Sequence, residues 1–301
     1  MSWIAFLGAL EMGLVFALVA LGVLLSFRVL AFPDLTVDGS FPLGAAVAAT
    51  TILAGVDPWS ATLLGALAGA AAGLVTALLN VRFRILHLLA SILTMIALYS
   101  INLRVMGRPN LALLGETTVL TPFAGLGLGD AVLRPLVLAV VVALVAAALI
   151  RFLASDLGLA LRATGANPRM AAAAGVDTGA SIYLGMGLAN SLVGLAGALF
   201  AQFSGFADVT LGTGTIVVGL AAVILGETLV GARGVAALVL GAVLGSLLYR
   251  IALALALNAE LFGLQASDLN LLTALLVAAA LVLPGLRRRL HGLRRGSGGT
   301  E

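Results

Sequence analysis

The chain contains no cysteine and no lysine, and charged side chains fill only 10% of its 301 positions. The first absence excludes disulfides and thiolate-held metals. The scarcity of charge excludes an ordinary soluble domain, whose water-facing surface needs about a quarter charged residues. There is no Gly-x-x-x-x-Gly-Lys-Ser/Thr phosphate loop, no His-Glu-x-x-His and no carboxylate pair beside a plausible base. The sequence therefore offers no catalytic residue, no metal site and no ATPase of its own. Strict polar–apolar alternation is also missing, which argues against a transmembrane barrel. No positive segment precedes the first apolar stretch, Trp3 to Phe27, and that stretch is too long for the core of a cleavable signal peptide.

What is present is hydrophobic: 62% of the residues, in long runs such as 136–150 and 234–249. A helix crosses the roughly 30 Å hydrocarbon core in about 20 residues, so several such runs predict an all-α integral membrane protein. We expect about nine spans, near 3–27, 42–56, 58–80, 85–105, 132–153, 180–203, 212–231, 234–257 and 269–286. The basic residues are sixteen arginines, and the pI is near 10.2. They cluster at span ends, so the basic balance sets orientation and implies no nucleic-acid partner. With the C-terminus inside, twelve arginines face the cytoplasm, and only Arg104, Arg108, Arg134 and Arg250 fall outside or near an outer end. Nine spans then place the N-terminus outside. The tail 287–301, with His291 among its arginines, reads as an anchor on anionic lipid.

A shift of 174 residues lays Phe32-Pro33-Asp34-Leu35-Thr36 on Phe206-Ala207-Asp208-Val209-Thr210. It joins spans 1–4 (about 3–105) to spans 6–9 (about 180–286), with 132–153 as a linking span. An odd offset of five spans makes the two halves inverted, a plan in which the substrate path lies at interrupted helices. Pro33, Asp34, Asp38 and Gly39 mark such an interruption before the second span. Asp34, Thr36, Asp38 and Ser40, with Asp208 and Thr210 in the other half, are thus candidates for the path. Caps on the helices that follow are the equal alternative, since Asp and Thr accept from free N–H groups. Glu11, deep in the first span, is a further candidate, because a charge at membrane depth faces a cavity or a partner. His87 has no relay partner, and Glu227 is expected to pair locally with Arg233. Gly65-x-x-x-Gly69, Gly69-x-x-x-Gly73 and Gly241-x-x-x-Gly245 predict close helix packing within the chain.

Two loops are long. The outer one, about 106–131, is rich in Gly, Pro and Thr, suited to cover the outer mouth or meet a partner. The inner one, about 154–179, carries Arg162-Ala163-Thr164-Gly165-Ala166-Asn167-Pro168-Arg169, then an alanine run ending at Gly175-Val176. We read it as a turn at Gly165-Ala166-Asn167, a short helix opened by Pro168, and a stop at Gly175.

This inner stretch resembles the coupling helix of branched-chain amino acid and ribose type permeases of ATP-binding cassette importers. Gly212-x-Gly214 followed by Ala221-Ala222-Val223-Ile224-Leu225-Gly226 is similar to that family's downstream signature. Glu227 stands where those relatives often carry a second glycine. Leu35-Thr36-Val37-Asp38-Gly39-Ser40-Phe41, with Gly226-Glu227, looks closer to a subfamily of tryptophan or aromatic amino acid permeases. The resemblance implies a bacterial inner-membrane permease that imports amino acids as a homodimer. It implies a separate cytoplasmic ATPase that binds ATP and magnesium, and an extracytoplasmic solute-binding protein. Arg162, Gly165, Asn167, Pro168, Arg169 and Gly175 would form the ATPase contact. That family often has ten spans, and nine here would mean that the first is missing. The rival reading is an ion-coupled secondary transporter with inverted repeats, for which Glu11 is the one deep carboxylate.

Overall fold

A computed structural model describes residues 3–126, 129–231 and 234–258, and the single position Ala278. The expected ninth span, the basic tail with His291, and Arg233 lie outside the described residues. Helix α1 (Trp3–Val23) runs into a π-helical turn, Leu24–Val29. Then come α2 (Val37–Leu53), α3 (Pro58–Val81), α4 (His87–Met106), α5 (Asp130–Ala154), α6 (Asp156–Ala166), α7 (Pro168–Ala173), α8 (Thr178–Ser204), α9 (Thr215–Val230) and α10 (Val235–Asn258). Six described segments are long and apolar enough to cross a membrane: α1 with its π turn, α3, α4, α5, α8 and α10. Helices α2 and α9 are apolar but shorter. The protein is a mostly helical, multi-pass membrane protein.

Helix α1 is central: every residue from Gly13 to Ser26 is buried, as expected of a helix apolar on all sides. Helix α3 lies along α8 as α10 lies along α1, and α2 packs on α8 as α9 packs on α1. The closest seam is α3 on α8, and glycine makes it possible. A Cβ at Gly69 would strike the carbonyl oxygen of Asn190, and one at Gly73 that of Met186. Gly241 and Gly245 of α10 meet Gly226 and Ala222 of α9 in the same manner. These small-residue stripes pack within the chain.

The second helix begins five residues earlier than expected, at Val37 rather than 42. The irregular segment therefore ends at Thr36, and Asp38, Gly39 and Ser40 are helical. Asp38 and Ser40 do not break the helix because their side chains bond to other helices, leaving their own backbone undisturbed. The long loop between α4 and α5 forms strand β1 (Asn110–Ala112), antiparallel to β2 (Phe206–Asp208) just after α8. It is anchored below by Gln202, whose carbonyl oxygen accepts the Val119 N–H at 3.1 Å while its amide donates to Thr62 at 2.7 Å.

Candidate functional site

The first interruption is a closed polar network inside the bundle. Asp34 Oδ1 accepts the Thr36 N–H at 2.9 Å, which turns the chain into α2. Its other oxygen accepts from the Asn190 amide of α8 at 2.7 Å. Asn190 in turn accepts from the Ser40 hydroxyl at 2.7 Å. Thr36 and Thr76 of α3 share a hydroxyl–hydroxyl bond of 2.7 Å. All five side chains are fully buried, and among the described residues no cation lies within ion-pair distance of Asp34. A polar group in hydrocarbon is tolerated when its bonds are made internally. Asn190 supplies both a donor and an acceptor, so one residue of α8 satisfies two residues of the α2 segment.

Asp38 serves the second half. Its carboxylate accepts from Gly214 N–H at 3.2 Å and Ile216 N–H at 2.8 Å, the free donors at the start of α9. Helix α9 has no side-chain cap from its own N-cap residue, Gly214, so a carboxylate from α2 takes that place. Pro42 lacks the N–H that would bond the Asp38 carbonyl, and Gly212 packs directly on that freed oxygen.

Asp208 differs from Asp34 despite the matching sequence. It lies in β2, bonds the Thr210 hydroxyl at 2.6 Å and N–H at 2.7 Å, and accepts from Asn110 of β1 at 3.2 Å. The Thr210 hydroxyl, with smaller help from the other donors, holds its carboxyl below the usual aspartate range. Asp208 thus pins the β1–β2 ribbon and does not cap α9. Glu11 is separate again, buried in α1 with Arg134 of α5 as its charged neighbour. His87 stacks on Phe32, centroids 4.3 Å apart. Glu227 pairs with Arg28 at the end of the π turn, which is 199 positions distant. The local pair expected from sequence overlooked this partner because only packing of α9 on α1 brings it near.

The loop between α5 and α8 holds two helices rather than a turn and one helix. Gly165 and Ala166 form the last turn of α6, and the chain turns at Asn167 alone. Gly165 is needed for packing: a Cβ there would strike the carbonyl oxygen of Val29, where α6 crosses the π turn. Asn167 accepts the Met170 N–H at 3.1 Å, and Pro168 opens α7. Gly175 ends the motif with φ +86°, a conformation that side-chain-bearing residues disfavour. Asn167, Pro168 and Arg169 are exposed, and Met170 is 72% exposed. Arg162 is only half-buried, with a buried Nε that has no hydrogen-bond partner among the described residues.

The residues that sequence reasoning missed are Asn190, Thr76, Gln202 and Arg28. Asn190 and Gln202 are the amide side chains of α8, and an amide inside a span is itself a signal of a buried partner.

The family of branched-chain amino acid transport system permease components matches residues 5–283 of this chain. A tyrosine transport system permease protein of Clostridioides difficile is 36% identical over 281 residues, covering 93% of this chain and 91% of the relative. An uncharacterised protein of Rickettsia prowazekii is 39% identical over 223 residues, 73% of this chain and 75% of that one. No solved structure matches the chain. With the match running over nearly the whole bundle, the chain belongs to the family of permease components of branched-chain amino acid transport systems.

Proposed function

We propose that this permease is the membrane subunit of an ATP-driven importer of amino acids, with an aromatic substrate such as tyrosine. The observation that carries the reading is α7: a short, capped helix that presents Arg169 and Met170 outward and is tied through α6 to the end of α1. Such a projection is suited to receive a cytoplasmic ATPase and to pass its movement to the central helix. The substrate class rests on the tyrosine permease relative, which is alike across almost its whole length. ATP and magnesium would bind the separate ATPase, and an extracytoplasmic binding protein would deliver substrate to the outer ribbon. Two copies of the chain would flank the path.

The membrane topology belongs to the same proposal: nine spans, N-terminus outside, C-terminus in the cytoplasm of a bacterial inner membrane. The arginine bias supports it. The inverted repeat is supported by the exchanged packing, in which α1, α2 and α3 contact α8, α9 and α10 in matching pairs. In this arrangement Asp34, Thr36, Asp38, Ser40, Asp208 and Thr210 would line or gate the route at the interrupted helices, with Glu11 of α1 a separate candidate for it. Movement of those helices would open the Asp34 network to the path.

Cross-linking tests the reading. A cysteine at Met170 in this cysteine-free chain should cross-link to the ATPase subunit in the assembled complex. A cysteine at Leu114, on the outer loop and 86% exposed, should not. No ATPase adduct at position 170 of an intact, active complex would refute α7 as the contact.

A further inference from the structure

Arg250 of α10 is a cation at membrane depth with no acid paired to it among the described residues. Its guanidinium carbon stands 3.9 Å from the centroid of the Phe16 ring on α1. Among the described residues its buried Nε has no hydrogen-bond partner, and neither does the buried hydroxyl of the neighbouring Tyr249, itself 3% exposed. Nearby, the carboxylate of Glu11 faces Arg134, whose Nη1 also donates to the Phe203 carbonyl at 3.2 Å. One acid and one of the two arginines answer each other, and no second described acid answers Arg250. Among the described residues, Arg250 has no acid within ion-pair distance. Charges inside a membrane bundle are ordinarily paired or face a polar path.

The 174-residue offset sharpens the comparison. At that offset Phe16 stands against Asn190, which bonds Asp34, and with the two further residues of shift that lay Gly65 and Gly69 on Gly241 and Gly245, Arg250 falls on the apolar Leu74. In the first half the interrupted segment brings its own carboxylate into the bundle. In the second half the matching carboxylate, Asp208, stays outside on the ribbon, while Arg250 and Tyr249 remain inside with donors to spare. Among the described residues no oxyanion stands at this place. Ring contacts run from Phe16 through Phe41 and Phe200 to Phe206, next to Asp208, so the arginine is linked to the outer ribbon through aromatic surface.

We propose that Arg250, held by the Phe16 ring and assisted by the Tyr249 hydroxyl, binds the carboxylate of an amino acid during its passage through the permease. The inference rests on the proposed amino acid importer and on its inverted repeat. A guanidinium recognises a carboxylate through paired N–H donors, and the ring beneath it fixes the plane without neutralising it. A lipid phosphate offers the same oxyanion chemistry, so the test separates the two sources.

The permease–ATPase complex is placed in nanodiscs of phosphatidylcholine, with or without phosphatidylglycerol. Saturation-transfer difference NMR then reads contact with tyrosine against tyramine, and leucine against isoamylamine; the second member of each pair lacks the carboxylate. At least one amino acid should exceed its amine partner by about tenfold, the size of a charge-assisted hydrogen bond. Arg250→Gln should lower the amino acid signal to that of the amine, and Arg250→Lys should keep part of it. The wild-type difference should be the same in both lipids. Equal signals for acid and amine, no signal for either acid, or an Arg250→Gln protein indistinguishable from wild type each overturns the proposal. So does a signal suppressed by phosphatidylglycerol, which assigns the arginine to a headgroup. Size-exclusion of each variant complex confirms folding. ATP-driven uptake by the wild-type preparation tests the importer reading separately, so an active importer without an Arg250-dependent signal removes the site alone.

Discussion

Replacement of Asn190 by alanine removes a 3.2 Å bond to the Met186 carbonyl of its own helix and, more costly, leaves Asp34 and Ser40 without the 2.7 Å bonds each made to its amide. Both groups left behind are fully buried. An unsatisfied buried group costs about 1–3 kcal/mol, and rather more for a charged one. The Ser40 hydroxyl can rotate to a carbonyl of its own helix, so most of the penalty falls on Asp34, and the expected loss is about 2–4 kcal/mol. Asp34→Asn is the instructive comparison. Its oxygen still accepts the Thr36 N–H, and a flip of the Asn190 amide presents an oxygen to the new donor and a donor to Ser40. Only the 3.2 Å bond from Asn190 to Met186 is lost, at a cost below about 1 kcal/mol. In the Asn190→Ala background the sign should reverse, because Asn at position 34 removes a charge that has lost its donor. Unfolding in mixed micelles, followed by fluorescence of Trp3 and Trp59, measures all four proteins. Equal losses for Asn190→Ala and Asp34→Asn, or simple additivity in the double variant, would refute the network as drawn.

Gly69→Ala should destabilise by more than about 1 kcal/mol, since the Cβ meets backbone of α8. Gly8→Ala, in open space on α1, should be neutral in the same unfolding assay. Gly175→Val has room for its side chain but a left-handed backbone, at a cost of about 1–2 kcal/mol. We expect insertion and assembly to be normal and substrate-stimulated ATP hydrolysis to be lost. Asp208 has a lowered folded-state pKa, so its support of the outer ribbon is present above the ordinary aspartate range and lost as pH falls through the lower folded value. Hydrogen exchange at β1 should therefore accelerate only in strong acid, and Asp208→Asn should abolish that acid step. Cysteines at Leu114 and Met170 should react with an impermeant thiol reagent from opposite sides of the membrane, and same-side labelling would overturn the topology.

The helical, membrane-crossing character was legible because hydrocarbon leaves long apolar runs few alternatives, and the α3 glycine stripe announced its own packing. The motif Asn167-Pro168…Gly175 was legible too, since caps are local chemistry. What could not be read was whatever depends on a distant helix. Asp34 and Asp208 share one sequence pattern, yet one is sealed by Asn190 and the other pairs with Asn110 on a surface ribbon. The pattern records the turn to the residue two positions on, and the remaining partners come from distant elements, α8 for Asp34 and strand β1 for Asp208. Asp38 appeared to belong to the irregular segment, whereas it caps α9. Gly165 was read as a turn residue because glycine signals turns, and its close approach to Val29 exists only once α6 crosses the π turn. Arg28 and Glu227 meet for a similar reason, through packing alone.

Accumulation of labelled tyrosine in proteoliposomes is the most direct test of the importer. The vesicles carry this permease and its ATPase, oriented to expose the binding-protein face, with ATP trapped inside and tyrosine-loaded binding protein outside. Uptake should require hydrolysable ATP and binding protein, and collapse of proton and sodium gradients should leave it unchanged. Accumulation that follows an ion gradient and persists without ATP or the ATPase would contradict the assignment and establish an ion-coupled carrier.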